Sequence, residues 1–450
     1  MIQNQRQLIQ NGSNPKEKKI RKDLLTILES VLNAIDPYRL TRQFWPKLKL
    51  KPQRYKNIYV VGAGKAVYKM ALAVESVLGK RIKAGFINIP SLPEKNELKI
   101  IQINQARHPT PDARGVRGSK KIRNIVKKAC SDDLVLVVMS GGGSSLMPLP
   151  VEGVPLKDKI KLFSMMLKTP ARIHEINVVR KHLSQIKGGQ LAALAHPATV
   201  IAIYISDIID DPFDIQASGP TAPDPSTHAE AISILKKHHL WSKAPCSIQR
   251  HLTRGVRGLV LDTPDHRHKT FTQGKIHNFT IGNHRTAVKA ATQQAQKMGY
   301  NVLPLTSSLE GEAKEVAKMI VSVGKEIQRH AKPIKTPAIV IAGGETTVHV
   351  RGTGKGGRNQ ELALAGLQVL QPGMTLVSFG TDGIDGMTPK PVAGAIADVS
   401  TRERAVRLKL DLQAFLSNND SYHFFNKVKD HIVTGPSGTN VGDLILLALS

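Results

Sequence analysis

Short apolar runs, each followed directly by a glycine-rich turn, recur along this chain of 450 residues. Ile58–Val61 leads into Gly62-Ala-Gly-Lys65, and Leu134–Met139 leads into Ser140-Gly-Gly-Gly-Ser-Ser145. Helical stretches separate the runs, and this alternation predicts parallel strands covered by helices on both faces of a sheet. Ligands of such sheets bind at the carboxyl ends of the strands, which is where these turns fall.

The same pattern predicts an α/β protein with two domains, each a mostly parallel sheet flanked by helices, the N-terminal one Rossmann-like. The strand-and-turn pattern restarts at Ala338–Ala342, which places the C-terminal domain at residues 335–450. We assign residues 23–330 to the N-terminal domain, with an exposed basic excursion at about 250–275. Residues 1–22 are polar and basic, and we predict that they form a flexible tail.

The chain carries 64 Lys and Arg residues against 35 Asp and Glu residues, a formal net charge of +29. Such an excess of cations favours binding to nucleic acid. Aromatic residues make up only 4% of the chain, however, so surfaces for base stacking are scarce. We therefore predict a solvated basic surface without a nucleic-acid partner. A basic nucleic-acid-binding protein without catalysis is the alternative.

The sequence pattern predicts no membrane or secretory segment. Residues 1–22 lack the apolar core of a secretory signal, and the longer apolar runs fall far short of the ~18 residues of a membrane helix. Cys130 and Cys246 are the two cysteines, which excludes a disulfide scaffold and fits a reducing compartment. We expect a cytoplasmic protein that is a monomer or a homodimer.

Three glycine-rich segments indicate phosphate chemistry. The backbone N–H groups and hydroxyls of Ser140–Ser145 can cradle phosphate oxygens, although a mobile turn is the alternative. Lys65 stands at a predicted helix start, where anions bind favourably, yet Val67 in place of a third glycine excludes a dinucleotide fingerprint. Arg358, within Gly352–Glu361, could bind a transferring phosphoryl group through its planar guanidinium.

Carboxylates follow two of the predicted strands. Thr199–Ile205 leads into Asp207, and Thr375–Phe379 leads into Asp382. Mg²⁺ usually takes one or two carboxylates together with substrate phosphates, so both are candidate metal ligands, with turn formation as the alternative role. The sixteen histidines show no zinc-ligand spacing, and the sequence therefore predicts no zinc site.

Read together, these segments resemble the class II glycerate 2-kinases, the family whose C-terminal part is called the MOFRL domain. The resemblance runs from about residue 24 to the end of the chain and rests on many ordered motifs. They are Val61-Gly-Ala-Gly-Lys-Ala66, His108-Pro-Thr-Pro-Asp112, Ser140-Gly-Gly-Gly-Ser-Ser145, Arg180-Lys-His-Leu-Ser-Gln-Ile-Lys-Gly-Gly189, Ala217-Ser-Gly-Pro-Thr221, Asp224-Pro-Ser-Thr227, Gly343-Gly-Glu-Thr-Thr347, Gly356-Gly-Arg-Asn-Gln-Glu361, Gly380-Thr-Asp-Gly-Ile-Asp-Gly386 and Thr434-Gly-Pro-Ser-Gly-Thr-Asn440.

The resemblance implies two α/β domains with the active site in the cleft between them. It also implies ATP- and Mg²⁺-dependent phosphorylation of D-glycerate at the 2-hydroxyl, which gives 2-phospho-D-glycerate and ADP. In the family, the lysine and the arginine that correspond to Lys65 and Arg358 are the suspected catalytic cations. Positioning and charge neutralisation supply most of the catalysis of phosphoryl transfer.

The remaining site residues are expectations that combine the resemblance with the chemistry of the side chains. Asp207 or Asp382 would hold Mg²⁺ or orient the glycerate hydroxyl as catalytic residues. Arg180, Lys187 and His108 are the candidates for binding glycerate. The nucleotide phosphates would bind to Ser140, Gly141, Gly142, Gly143, Ser144 and Ser145.

The chain also departs from the family pattern. Met387–Gly394 is longer than usual and lacks an acidic residue, Gly442 replaces a usual Asn, and Asp210 stands where a Gly is common. These changes leave altered substrate choice open. A second alternative is a hydroxypyruvate reductase that uses NAD(P)H, but the missing Gly-x-Gly-x-x-Gly fingerprint argues against it.

Overall fold

The computed structural model describes residues 2–273 and 275–450, so Met1 of the predicted tail and Gly274 of the predicted excursion lie outside the described residues. The chain divides into two compact units. The central unit comprises Pro37–Ser206 and Asp211–Ile281. The terminal unit comprises the residues up to Asp36, together with Asp207–Asp210 and Gly282–Ser450.

Strands and helices alternate through most of the described chain. The strands are β1 (Ile58–Ala63), β2 (Ile82–Ile89), β3 (Ile101–Gln105), β4 (Leu134–Ser140), β5 (Thr199–Ile205), β6 (Ile276–Gly282), β7 (Asn301–Leu309), β8 (Ala338–Gly344), β9 (Met374–Gly380), β10 (Gly394–Asp398), β11 (His431–Ile432) and β12 (Asp443–Leu449).

The helices are α1 (Gln5–Gln10), α2 (Pro15–Ala34), α3 (Pro37–Phe44), α4 (Val67–Leu78), α5 (Ala113–Val126), α6 (Gly143–Leu146), α7 (Leu156–Met166), α8 (Ile173–His182), α9 (Gln190–Ala195), α10 (His228–Lys237), α11 (Cys246–Val256), α12 (Lys269–Thr272), α13 (His284–Lys297), α14 (Ala313–His330), α15 (Arg358–Val369), α16 (Val399–Arg407), α17 (Leu412–Ser417) and α18 (Ser421–Val428).

The sheet of the central unit has the order β3-β2-β1-β4-β5-β6, and the pairings among β1 to β5 are parallel. Strands β1 and β4 are buried along their whole length, as their continuous apolar runs predict. The strand order reverses between β1 and β4, where open sheets of this kind bind ligands beyond the carboxyl ends of their strands. The predicted Rossmann-like α/β architecture is confirmed for this unit.

The sheet of the terminal unit has the order β11-β10-β9-β12-β8-β7, and here the expectation of a mostly parallel sheet is corrected. Strand β12 is antiparallel to both β8 and β9, and β10 is antiparallel to β9 and β11. Among the pairings of these six strands, that of β7 with β8 is parallel. A continuous apolar run such as Leu444–Leu449 indicates a strand buried on both faces. Parallel and antiparallel strands give the same apolar pattern, so the run does not predict the strand direction.

The predicted N-terminal tail is also corrected, because its described residues form α1 and the first part of α2. Asn14 caps α2 by accepting a hydrogen bond from the backbone N–H of Glu17 at 3.0 Å. Helix α2 packs against α13 and buries a stripe that includes Leu24 and Leu28. This packing joins the start of the chain to the terminal unit, so the division differs from the predicted boundaries.

The predicted basic excursion is exposed only in part. The first residues of this segment belong to α11, a helix that buries Ile248 and Leu252. Beyond the helix, Leu259 and Leu261 are exposed. Each unit has its own apolar core. Within residues 2–273 and 275–450, no helix combines the length and the apolar character needed to span a lipid bilayer.

Candidate active site

In the central unit, hydrogen bonds connect the turn that follows β1 to the turn that follows β4. The backbone N–H of Ala66 donates to the hydroxyl of Ser140 at 2.9 Å, and that of Lys65 donates to the carbonyl of Gly141 at 2.9 Å. A Cβ atom on Gly64 would lie 2.1 Å from Ser140 Oγ, so the close approach requires glycine. The contacts hold Lys65 beside the predicted phosphate loop, at the point where the strand order reverses.

The six residues of the predicted phosphate loop differ in their surroundings. Gly142, Ser144 and Ser145 line a cavity of about 400 Å³. The hydroxyl of Ser144 lies 2.9 Å from that of Ser218, and the hydroxyl of Ser145 donates to the carbonyl of Gly142 at 3.1 Å. The hydroxyl of Ser140 is instead used in the contact with Ala66 described above. The part of the loop that faces the cavity therefore begins at Gly142.

The same cavity brings together all three residues predicted to bind glycerate, His108, Arg180 and Lys187, and adds a further cation, Lys159. Among the described residues that line it, none is acidic. The Lys159 ammonium donates to the carbonyl of Leu183 at 2.9 Å, and the Lys187 ammonium donates to that of Ala217 at 3.2 Å. The cavity thus offers positive charge that backbone oxygens solvate and that no carboxylate of its described lining neutralises.

Burial and mutual repulsion shift the pKa values of these cations. Burial, and to a lesser extent Arg180, lowers the pKa of Lys159 to about 7. Burial lowers the pKa of Arg180 to about 10. Burial, Lys159 and Arg180 lower the pKa of Lys187 well below its usual range. Because an anion would relieve both the burial cost and the repulsion, the cavity is suited to a carboxylate or a phosphate.

Sequence reasoning missed Lys159. It lies on α7, outside every glycine-rich turn and motif, and the sequence around it is that of an ordinary amphipathic helix. No pattern in the sequence marks it, since its role follows from the burial of its side chain beside Arg180. Arg180 also stacks on the ring of Phe163, with 5.1 Å between the guanidinium carbon and the ring centroid.

In the terminal unit, three carboxylates stand at one edge of the sheet. Glu345 follows β8, Asp382 follows β9, and Asp443 begins β12. In the register of the sheet, Asp443 is paired with Gly344 on one side and with Gly380 on the other. The antiparallel direction of β12 puts its first residue at the edge where β8 and β9 end. A parallel β12 would have placed Asp443 at the opposite edge.

Arg358, the first residue of α15, binds two of these carboxylates. Its Nε and Nη2 atoms donate to Asp443 at 2.5 and 3.1 Å, and its Nη1 atom lies 2.7 Å from Glu345 Oε1. Burial opposes the guanidinium charge, but Asp443 and Glu345 outweigh this effect and raise the pKa of Arg358 above its usual range. The predicted catalytic arginine is therefore charged and fixed in direction.

Asp382, the third of these carboxylates, and the predicted Asp207 both act on Glu345. Burial raises the pKa of Glu345 to about 7 against the opposing effect of Arg358, and the charges of Asp443, Asp207 and Asp382 raise it further. Asn440 donates a hydrogen bond to Asp207 at 2.6 Å, within the same unit. Glu345 thus interacts with three other carboxylates and with Arg358, and such an excess of negative charge is suited to a divalent cation.

Sequence reasoning missed Glu345 and Asp443, although a signal existed for both. Glu345 lies in the quoted segment Gly343–Thr347, directly after a predicted strand. Asp443 follows Gly442, where the chain departs from the family pattern, but the apolar run after it does not reveal the strand direction. Asp385, by contrast, is buried and accepts hydrogen bonds from the backbone of Asn359 and Gln360 at 3.0 and 2.8 Å. It therefore supports the start of α15 rather than a metal.

The departures from the family pattern differ in their surroundings: Asp210 and Met387 are exposed, whereas Gly442 is buried. Asp210 has a φ of 61°, the left-handed region that favours glycine, which fits the glycine common at this position. The backbone N–H of Asp385 donates to the carbonyl of Val392 at 2.8 Å. This hydrogen bond closes the residues between them into a loop. Met387 in this loop is 85% exposed.

Comparison with known proteins covers both units. The C-terminal part matches the MOFRL family at residues 338–443, and residues 23–253 match a domain of unknown function, DUF4147. D-glycerate 2-kinase of Thermotoga maritima is 39% identical over 95% of this chain and 98% of its own length. Glycerate 2-kinase of Pyrococcus horikoshii is 36% identical over 95% of this chain and 97% of its own length. The crystal structure of glycerate kinase from Thermotoga maritima aligns with a TM-score of 0.86 and 38% identity, over 96% of this chain and all of that chain.

Proposed function

Because this chain belongs to the glycerate 2-kinase family with a C-terminal MOFRL domain, we propose that it transfers a phosphoryl group from ATP to the 2-hydroxyl of D-glycerate. The products are 2-phospho-D-glycerate and ADP. The observation that carries this proposal is the cavity of the central unit, where Lys159, Arg180 and Lys187 meet and the described lining includes no carboxylate. Three uncompensated cations are suited to the carboxylate and phosphate groups of these reactants.

In this proposal, the cavity binds and orients the anionic groups. Arg180, Lys187 and His108 bind glycerate, with the guanidinium of Arg180 on its carboxylate. Gly142 and Ser144, in the loop after β4, lie beside the phosphate that is transferred. In this arrangement, charged side chains bind glycerate, and backbone N–H groups of the loop bind the phosphate.

Two cations outside this cavity lining neutralise developing charge. Lys65 is held beside Gly142, since a Cβ atom on that glycine would lie 3.5 Å from Lys65 Cγ. Arg358 is held in place by Asp443 and Glu345. Preorganised cations of this kind stabilise the transition state of phosphoryl transfer because they need no reorganisation as the charge develops.

The carboxylates of the terminal unit fit a magnesium ion, because Asp207, Asp382, Glu345 and Asp443 outnumber the one arginine among them. We propose that Asp207 and Asp382 hold it, and that one of the two orients the glycerate hydroxyl. Bound Mg²⁺ would neutralise phosphate oxygens.

The test is turnover of ATP, Mg²⁺ and D-glycerate by the purified chain, with identification of the phosphorylated product. We expect 2-phosphoglycerate, and we expect Lys65→Ala and Arg358→Ala each to lower kcat on the order of 10²-fold or more. Lys80→Ala and Arg351→Ala, which remove exposed cations of the same units, are the matched controls and retain wild-type kcat.

Two results contradict the proposal. One is unchanged kinetics of both Lys65→Ala and Arg358→Ala. The other is rapid reduction of hydroxypyruvate by NAD(P)H without ATP, the reaction of the reductase alternative. Tight, salt-sensitive binding of RNA or DNA without turnover of any hydroxy acid would favour the nucleic-acid alternative instead.

We further propose that the enzyme works in the cytoplasm, as a monomer or a homodimer, and without a nucleic-acid partner. The two cysteines are both free, which is consistent with a reducing compartment. Light scattering coupled to gel filtration measures the oligomeric state, and a fluorescent oligonucleotide titrated at physiological salt tests the absence of nucleic-acid binding.

A further inference from the structure

A cluster of two histidines and one aspartate lies in the central unit, apart from the residues that line the anion cavity. His182 ends α8, His228 begins α10, and Asp262 lies in the segment after α11. One nitrogen or oxygen atom from each lies within 4.8 Å of those of the other two. We propose that these three side chains bind a divalent transition-metal ion of the zinc type.

The tautomer of His182 leaves a nitrogen lone pair directed at the cluster. Its Nδ1 atom lies 3.0 Å from the carbonyl oxygen of Val178, and a carbonyl only accepts, so Nδ1 carries the proton. The side chain is fully buried, and Nε2 has no hydrogen-bond partner among residues 2–273 and 275–450. Nε2 lies 3.4 Å from Asp262 Oδ1. In the neutral ring, two acceptors therefore face each other, and a shared cation satisfies both.

His228 and Asp262 complete the donor set. His228 Nδ1 lies 2.5 Å from Asp262 Oδ1, and the backbone N–H of His228 donates to the same oxygen at 2.7 Å. The His182 and His228 rings are 4.6 Å apart between centroids. The Asp262 side chain is 45% exposed, so water can reach the cluster. Two imidazoles, one carboxylate and one water make the four-coordinate set that Zn²⁺ favours.

The type of donor distinguishes this cluster from the magnesium ligands proposed above. Imidazole nitrogen favours zinc and its neighbours over Mg²⁺ or Ca²⁺, which take oxygen ligands. The bond from His182 to the carbonyl of Val178 is the usual outer contact of a metal-binding histidine, because it fixes the ring orientation and the tautomer. A bound ion would link the segment that contains Asp262 to His182 at the end of α8. His182 lies two residues after Arg180 in the chain.

The sequence did not predict this site because its ligands are distant in the chain. The three residues come from α8, α10 and a segment beyond α11, and no pair has the spacing of a local zinc motif. Packing alone brings them together.

The test is metal binding by the full chain after removal of metals with a chelator. We expect dialysis against Zn²⁺ to leave one equivalent per chain, and Co²⁺ to give the strong visible absorption of a tetrahedral site with nitrogen ligands. Asp262→Asn removes the exposed ligand, and we expect it to weaken Zn²⁺ binding on the order of 100-fold. The matched control is Asp265→Asn, which removes a partly buried carboxylate of the same segment that pairs with Arg267.

We also expect Zn²⁺ to change the thermal stability of the chain, a measurement that does not depend on catalytic activity. Zn²⁺ raises the melting temperature of the wild-type chain and of Asp265→Asn, but not that of Asp262→Asn, because an ion that binds the folded state stabilises it. Circular dichroism of each variant establishes that it is folded. Equal Zn²⁺ retention by the wild type and folded Asp262→Asn overturns the proposal. So does a Co²⁺ complex without tetrahedral absorption, which would leave the cluster a hydrogen-bonded His228–Asp262 pair.

Discussion

Arg358 and Asp443 form an ion pair through two nitrogen–oxygen contacts, Nε to Oδ2 at 2.5 Å and Nη2 to Oδ1 at 3.1 Å. The arginine begins α15 and the aspartate begins β12. Such a two-point contact fixes the plane of the guanidinium as well as its position. Asp443, which is 3% exposed, is therefore a positioning residue for the proposed catalytic arginine.

Replacement of Asp443 tests this role. Asp443→Asn keeps the size of the side chain but removes its charge, so Arg358 loses the two-point ion pair and keeps its contact with Glu345. We expect kcat to fall on the order of 10²-fold, the scale of a misplaced catalytic group, while KM for glycerate changes little. Steady-state kinetics measures both constants, and Glu326→Gln, at an exposed position of α14, is the control. A wild-type kcat for Asp443→Asn would contradict the role.

The pKa of Lys159 predicts how substrate binding depends on pH. Since burial and Arg180 lower that pKa to about 7, the ammonium loses its proton as the pH rises through about 7. We expect KM for glycerate to increase about tenfold between about pH 6 and pH 8, because the charged form binds the anion. Lys159→Met weakens this dependence, whereas Lys161→Met, an exposed neighbour on the same helix, retains it. A pH-independent KM in the wild type would contradict the prediction.

The same group links stability to pH. The pKa of Lys159 is lower in the folded chain than the value of about 10.4 in the unfolded chain, so the unfolded state binds more protons between these two values. The free energy of unfolding therefore receives a contribution that grows with pH from about 7 to about 10.4 and is lost as the pH falls through that window. Urea unfolding at about pH 7 and pH 9 should show a smaller increase in Lys159→Met than in the wild type.

Gly64 tests the contact between the turns after β1 and β4. A Cβ atom there would lie 2.1 Å from Ser140 Oγ and 2.8 Å from the Ser140 backbone nitrogen, so Gly64→Ala forces the turn that carries Lys65 to move. We expect a loss of roughly 1–3 kcal/mol of stability and a kcat reduced on the order of 10²-fold. Gly79→Ala is the control, since that glycine also has a positive φ but no atom of the described residues lies within 4 Å of its Cβ position. Equal kcat values for the two variants would contradict the prediction.

Arg21 tests the packing of α2 in the terminal unit. Its guanidinium is fully buried and binds Asp398 at 2.6 Å and Asp430 at 2.8 Å. Arg21→Met leaves both carboxylates buried without this partner, and we expect a loss of about 3–5 kcal/mol. The control is Lys19→Met, which removes an exposed ammonium whose pair with the largely buried Asp23 contributes about 1 kcal/mol or less. Urea unfolding followed by circular dichroism measures both, and equal midpoints would contradict the prediction.

The sequence predicted those parts of the fold that depend on local order. The apolar runs of β1, β4, β5, β8 and β9 and the turns after them lie where their patterns predict. Burial on both faces requires such runs, and a close approach of backbone to backbone requires glycine in the turns. His108, Arg180 and Lys187 were chosen from the motifs of the family resemblance and from their side-chain chemistry, and the structure brings them to one cavity.

Tertiary structure alone decided what depends on contacts between distant segments. An apolar run reads the same in both directions, so the sequence could not show that β12 runs antiparallel and brings Asp443 to Arg358. The basic start of the chain resembled a tail because the carboxylates that pair with Arg21 lie at Asp398 and Asp430, far along the chain. No local pattern marked Lys159 as an anion ligand or His182 as a metal ligand for the same physical reason: burial and charge pairing are properties of packed segments.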